Sequence, residues 1–217
     1  MNRGLLRKAI REILWTTLLL SLFLALAEGL LTFVLTSRQA QFAQRIADLP
    51  LLQGFLKGLL GVEMADSIGP GMLAAVAWVH PVILAITWAH AIIIATRVPA
   101  GEIERGTIDV LLGLPISRRE LFITETCACM FAGIVLMFAA AAGHAIGGRF
   151  LDPSLRLEGG RVAIIVVNLY AVYVTVGAMA MLLSALSDRR GRAMSAAFGL
   201  VVGSFLINAL AQAWKPA

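Results

Sequence analysis

The sequence predicts an all-α integral membrane protein with about five transmembrane helices, and three observations predict it. Of its 217 residues, 59% are hydrophobic and only 14% charged, with a mean hydropathy of +0.87, well above the roughly half-apolar usage of soluble domains. The apolar residues gather into five runs, each about long enough to cross a hydrocarbon core of roughly 30 Å. The charged residues collect in the connections between them. A chain of this length has room for about five spans and their connections but none for a separate soluble catalytic domain.

The elements follow in order. Residues 1–12 form a basic N-terminal segment with Arg3, Arg7, Lys8 and Arg11, and the first span covers 13–36. A basic start, an apolar core and Ala25-Leu26-Ala27 also fit a cleavable signal peptide. The apolar run continues through "GLLTFVL", beyond the roughly 7–15 residues of a signal's apolar region, and this favours an uncleaved helix. Residues 38–70 are read as an outer segment. Phe42, Ile46 and Leu49, then Leu52, Phe55, Leu56, Leu59 and Leu60, repeat at helical spacing on either side of Pro50, which predicts two amphipathic helices at the outer interface. The remaining spans are expected at 71–97, 119–147, 162–187 and 192–214, with a polar segment at 99–118.

The formal net charge of +5 raises nucleic acid as a partner, yet the basic residues lie beside apolar runs and form no dense patch. They read as topology signals. The N-terminal group, then Arg97, Arg105, Arg118 and Arg119, then Arg189, Arg190 and Arg192, fall on one side. Arg38, Arg45, Lys57, Arg149, Arg156, Arg161 and Lys215 fall on the other, a bias that places the N-terminus in the cytoplasm. Five crossings then leave the C-terminus outside.

The polar segment cannot lie in the hydrocarbon. Glu102, Glu104, Arg105 and Asp109 at helix centres would cost about 2.5–3.5 kcal/mol each, on the order of 10 kcal/mol together. Nor does it read as a floppy loop. Ile103, Thr107, Val110, Leu111 and Leu114 fall at i, i+4, i+7, i+8 and i+11, one stripe of a short amphipathic helix, with Arg105 and Asp109 spaced to pair. Gly113 suits a left-handed helix cap, Pro115 stops continuation, and Ser117-Arg118-Arg119-Glu120 reads as a capping box for the next span. From physical chemistry alone, this rigid cytoplasmic projection either lies on lipid or docks into a groove of a partner protein.

"GEIERGTIDVLLGLPISRREL" resembles the segment after the second helix in permease subunits of the ABC-2 type transporter family: acidic residues, Gly-Thr, a Leu-rich helix, Pro, Ser or Thr, then basic residues. Glu102, Glu104, Arg105, Gly106, Thr107, Leu111, Leu112, Pro115, Ser117 and Arg118 stand at the matching places. Ile103 departs from a more acidic local pattern. The likeness extends to the basic N-terminal segment, to "LPLLQGFLKGLLG" and to "SALSDRRGRAMSAAFGLVVGSFLINAL". Such permeases usually have six helices, and five are recognisable here. The resemblance implies a plasma (inner) membrane exporter subunit, paired with a second permease as a homo- or heterodimer. It also implies that residues 101–118 dock on a separate ATP-binding subunit, which would carry ATP and Mg. This chain is then expected to bind no cofactor and to be no enzyme by itself; it has no G-x-x-x-x-G-K-[ST] loop.

Other polar residues in the spans were candidates for chemistry. His80, His90 and His144 lack metal-site spacing: the first two are about 80° apart around a helix and about 15 Å along it, and ordinary packing is expected of all three. Glu28, an intramembrane carboxylate, is by default a functional residue, either in a substrate pathway or bonded to a neighbour such as Thr32 near the outer interface. Asn168 is a weaker pathway candidate, and it and Asn208 also suit bridges between helices. Cys127 and Cys129 point to opposite faces and read as small buried hydrophobes. Small residues in "GAMAM" and "AAAAGHAIGG" fit close helix packing. Two other functions are open: an intramembrane enzyme using Glu28 or the histidines, which would act without ATP, and a non-transporting assembly or sensor subunit, which would bind the ATPase without moving cargo.

Overall fold

Continuous runs of Leu, Ala, Ile and Val in lipid favour the helix, which satisfies the backbone within the segment itself. The computed structural model describes residues 3–38, 41 and 72–213, and among these the regular elements are all helical. They are α1 (Arg3–Ser37), α2 (Met72–Trp78), α3 (Pro81–Ala95), α4 (Ala100–Glu104), α5 (Ile108–Leu112), α6 (Arg118–Arg149), α7 (Gly159–Ala185) and α8 (Arg190–Ala213), with a 3₁₀ turn at Pro153–Leu155. Five segments are long and apolar enough to span a membrane: α1, α2 with α3, α6, the turn with α7, and α8. The outer amphipathic helices expected at 38–70 lie outside the described residues.

Two boundaries differ from expectation for local reasons. The basic N-terminal segment is no separate tail; α1 starts at Arg3 and runs unbroken into the span. The second span is divided instead, with Pro81 opening α3 and His80 as its N-cap, its Nδ1 accepting the Val82 N–H at 3.3 Å. Proline at the first helical position lacks only an N–H that would have gone unpaired anyway.

In α1 the buried residues are Leu5, Ala9, Ile13, Thr17, Ser21, Leu24, Glu28, Thr32 and Thr36, at spacings of three or four. That is one face of a helix. The face is notably polar, while Trp15, Leu19, Leu22, Phe23, Leu26 and Leu30 point outward. In lipid the usual amphipathic order inverts, because polar groups need protein partners and apolar ones do not.

α1 packs most extensively on α6, and glycine permits it. A Cβ on Gly143 would strike the backbone of Ala25, and one on Gly147 the backbone of Gly29. These are small-xxx-small ridges on both helices, which let two backbones touch. Gly133 of α6 is likewise filled by the ring of Tyr173 from α7. At the centre, α3 is buried on several sides through Ile83, Thr87, Trp88, His90, Ala91 and Ile92. His90 Nδ1 lies 3.0 Å from the Tyr173 hydroxyl and its Nε2 lies 3.2 Å from Thr17 Oγ1, and the Tyr173 hydroxyl donates to the Cys129 carbonyl at 3.3 Å. One histidine thereby ties α1 and α3 to α7, and Tyr173 extends the tie to α6. Of the two cysteines, Cys129 is buried as expected, whereas Cys127, on the opposite face, is exposed.

Candidate coupling site

The connection from α3 to α6 is where the expected projection falls, and its backbone is built differently from the single amphipathic helix the spacing predicts. Two five-residue helices, α4 and α5, are separated at Gly106, whose φ of 69° is the left-handed conformation glycine adopts without strain. The Gly106 N–H donates to the Ile103 carbonyl and the Thr107 N–H to the Glu102 carbonyl, each at 3.0 Å. This pair of bonds is the Schellman cap that closes a helix C-terminus. The left-handed cap thus belongs to Gly106 and not to Gly113, whose φ is −74°.

The break dissolves the expected stripe. Leu111 alone is buried, against Leu5, Val98 and Leu121. Ile103, Val110, Leu112 and Leu114 are exposed, Val110 most of all at 72%. Asp109 does not take Arg105 either: Arg105 Nη2 donates to Glu102 Oε1 at 3.0 Å, a partner three residues back on the completed helix. Ser117 caps α6 as expected, its Oγ accepting the Glu120 N–H at 3.1 Å.

Glu102 is the hub of the site. Its side chain is buried, and Oε1 receives both Arg105 and Lys8 Nζ of α1, the latter at 3.3 Å, while the Thr107 hydroxyl donates to Oε2. Burial alone would raise this carboxyl. The Thr107 hydrogen bond and the charges of Lys8 and Arg105 outweigh burial and hold it below its ordinary value. Lys8 also pairs with Glu12 at 3.4 Å, and the buried Arg97 guanidinium spans Glu12 of α1 and Glu125 of α6. The network joins α1, the end of α3, α4 and α6. Removing Arg97 would strand the buried Glu125 carboxylate, a loss of about 3–5 kcal/mol for a buried pair, while Glu12 would keep Lys8.

Two further ties reach α7 and α8. The Ala100 N–H donates to Ser184 Oγ at 3.1 Å, and Glu104 Oε2 accepts the Arg190 N–H at 3.2 Å. Arg190 Nη2 continues to the Ile93 carbonyl at 2.9 Å, and its side chain lies so close that a Cβ on Gly101 would meet Arg190 Cδ at 3.3 Å. Each of these partners sits at a span terminus, where backbone groups lack helical mates. As a result α4 is tied directly to α1, α7 and α8 as well as to the span it follows.

A segment held this way joins the ends of several spans and leaves most of α5 exposed. A model described as ABC-2 family transporter protein matches residues 6–216. The chain belongs to the ABC-2 transporter family. It is a transport permease, a multi-pass membrane component of an ABC transporter. No curated protein and no solved structure matches it.

Among the residues of this ABC-2 permease singled out from sequence, the structure gathers Glu102, Glu104, Arg105, Gly106 and Thr107 into one anchored unit. It leaves Leu112 and Pro115 exposed, with Ser117 and Arg118 opening α6. Lys8, Glu12, Arg97, Glu125, Ser184 and Arg190 were not foreseen as members. Their basic residues read only as topology signals, because partners up to 97 positions apart leave no local pattern.

Glu28 lies apart, fully buried between α1 and α6. It receives the Thr32 hydroxyl at 3.3 Å, as expected, and also faces His144 Nδ1 at 3.3 Å; Thr32 Oγ1 and His144 Nδ1 are 2.9 Å apart. His144 is therefore more than packing. The signal was present: Glu28 precedes Gly29 and His144 follows Gly143, so apposed glycine ridges bring the two side chains together. Asn168 is exposed on α7, Asn208 is exposed on α8, and neither joins this cluster. No group of three His, Cys, Asp or Glu that could hold a metal forms among the described residues.

Proposed function

We propose that this permease couples ATP hydrolysis by a separate nucleotide-binding subunit to export across the plasma membrane, working as a dimer of permeases with its N-terminus in the cytoplasm. The observation that carries the reading is the division of labour in the 97–118 segment. Glu102, Glu104, Arg97 and Leu111 face the bundle and hold it, whereas Val110, Leu114, Asp109 and Pro115 are exposed and available to a partner. Exposed Val110 and Leu114 give the projection an apolar surface that a groove on a docked subunit can cover. ATP and Mg belong to that subunit in this reading, and this chain contributes no catalysis of its own.

The test is to co-express the chain with candidate ATP-binding subunits, extract in mild detergent and measure co-purification and ATP turnover. Val110→Asp with Leu114→Asp, which leaves every internal tie intact, is expected to abolish co-purification while the permease still runs as a monodisperse species. Glu104→Lys is expected to keep the partner bound but uncouple turnover from transport. An ATPase that binds equally to all three chains would overturn the assignment.

A further inference from the structure

A groove of about 700 Å³ opens beside the projection, between α6 and α7, a volume that falls within the range of ligand sites. Phe122, Met130, Val174 and Met181 form its walls, Ile108 and Leu112 close one end, and Gly177 with Ala178 leaves its floor low. Its few polar groups are largely engaged: Glu125 is held by Arg97, Tyr173 by His90 and the Cys129 carbonyl, and Thr126 by Met181. Arg118 differs. It lines the groove where α6 begins, is exposed, and has no ion-pair or hydrogen-bond partner for its guanidinium among the described residues. Arg119, next to it, is also exposed.

We propose that this groove holds a membrane phospholipid with an anionic headgroup, its phosphate on Arg118 and an acyl chain laid between α6 and α7. The charge pattern selects the occupant. An apolar slot between spanning helices accepts a hydrocarbon chain, and a free guanidinium at the mouth of such a slot, level with the bilayer surface, is the recognition element for an acidic headgroup. Because Ile108 and Leu112 of α5 form one end, the lipid would brace the projection against the bundle. The site depends on neither the ATPase nor the direction of transport.

The experiment uses the full chain in lipid nanodiscs with trace phosphatidylglycerol or phosphatidylcholine analogues carrying a diazirine on the acyl chain, mapped by mass spectrometry after irradiation. The unaltered chain is expected to label at Phe122, Met130 or Met181, with the acidic analogue favoured about fivefold, the worth of one basic residue against an anionic headgroup. Arg118→Gln should erase the preference while labelling persists. Ala178→Trp, at an exposed position lining the groove, should suppress labelling by both. Equal labelling by the two analogues in the unaltered chain overturns the headgroup assignment. Absence of groove labels, or a disulfide between copies carrying Ala178→Cys, overturns the lipid in favour of an empty or self-occupied slot.

Discussion

Lys8 and Glu102, 94 residues apart, meet at 3.3 Å and fasten the start of the first span to the projection. Arg105 and Thr107 share the same carboxylate, which is held below its ordinary value by these partners despite its burial. A carboxyl with a depressed folded pKa contributes stability that is present above its unfolded value. That stability is lost as pH falls from about 4.5, the ordinary value, through the lowered one. Hydrogen exchange of the amides of α4 and α5 in detergent should therefore accelerate on acidification through this window. Glu102→Gln should exchange faster at neutral pH and show a flatter response; an unchanged pH profile in that variant would remove Glu102 from the hub.

Gly106 holds the one left-handed backbone conformation of the projection, and its φ of 69° sets the expectation for substitution. Gly106→Ala should cost about 1 kcal/mol, the usual strain of a left-handed L-residue. Gly113→Ala, at φ −74°, should cost less. Thermal unfolding followed by fluorescence size-exclusion chromatography compares them directly. The reverse order would mean that the cap has been placed on the wrong glycine.

Where α1 and α6 touch, a side chain has nowhere to go. Gly143→Leu or Gly147→Leu should destabilise by overpacking, about 1–3 kcal/mol or more, and reduce the yield of monodisperse protein. Gly148→Leu, whose Cβ would meet open space, is the matched control and should be near neutral. Equal losses in all three would show that contact with α1 is not the cause, since leucine is the better helix former at each position.

Glu28 and His144 form a buried pair, so their truncations should not add. In a double-mutant cycle with Glu28→Ala and His144→Ala, the double variant should be less destabilised than the sum of the singles, by on the order of 1 kcal/mol. Strict additivity in the same thermal assay would dissolve the pair.

What the sequence made legible and what it hid divide along the range of the forces involved. Span positions follow from the length of apolar runs, which is why α6, α7 and α8 begin and end within three residues of expectation. The location of the projection follows from the cost of placing Glu102 through Asp109 in hydrocarbon. Its internal shape does not: the spacing points to a left-handed cap at Gly113, whereas the folded chain places it at Gly106. Burying Leu111 with Leu5 and Leu121, and pinning Glu102 to Lys8, decides for Gly106. His144 was undervalued for a related reason: its meaning depends on which helix the glycine ridge meets.

The separation of Glu28 from His144 has a consequence for biogenesis. The two lie 116 positions apart, so at roughly 5–20 residues per second the first helix waits on the order of ten seconds for its partner to be synthesised. During that interval a carboxyl group stands in the bilayer, or in the insertion machinery, with only Thr32 of its later companions. An insertase that shields the first helix until the third span emerges would spare the nascent chain that exposure. A chain cut short before α6 would lack the helix that covers most of the polar face of α1, leaving Glu28 and Thr32 open to lipid.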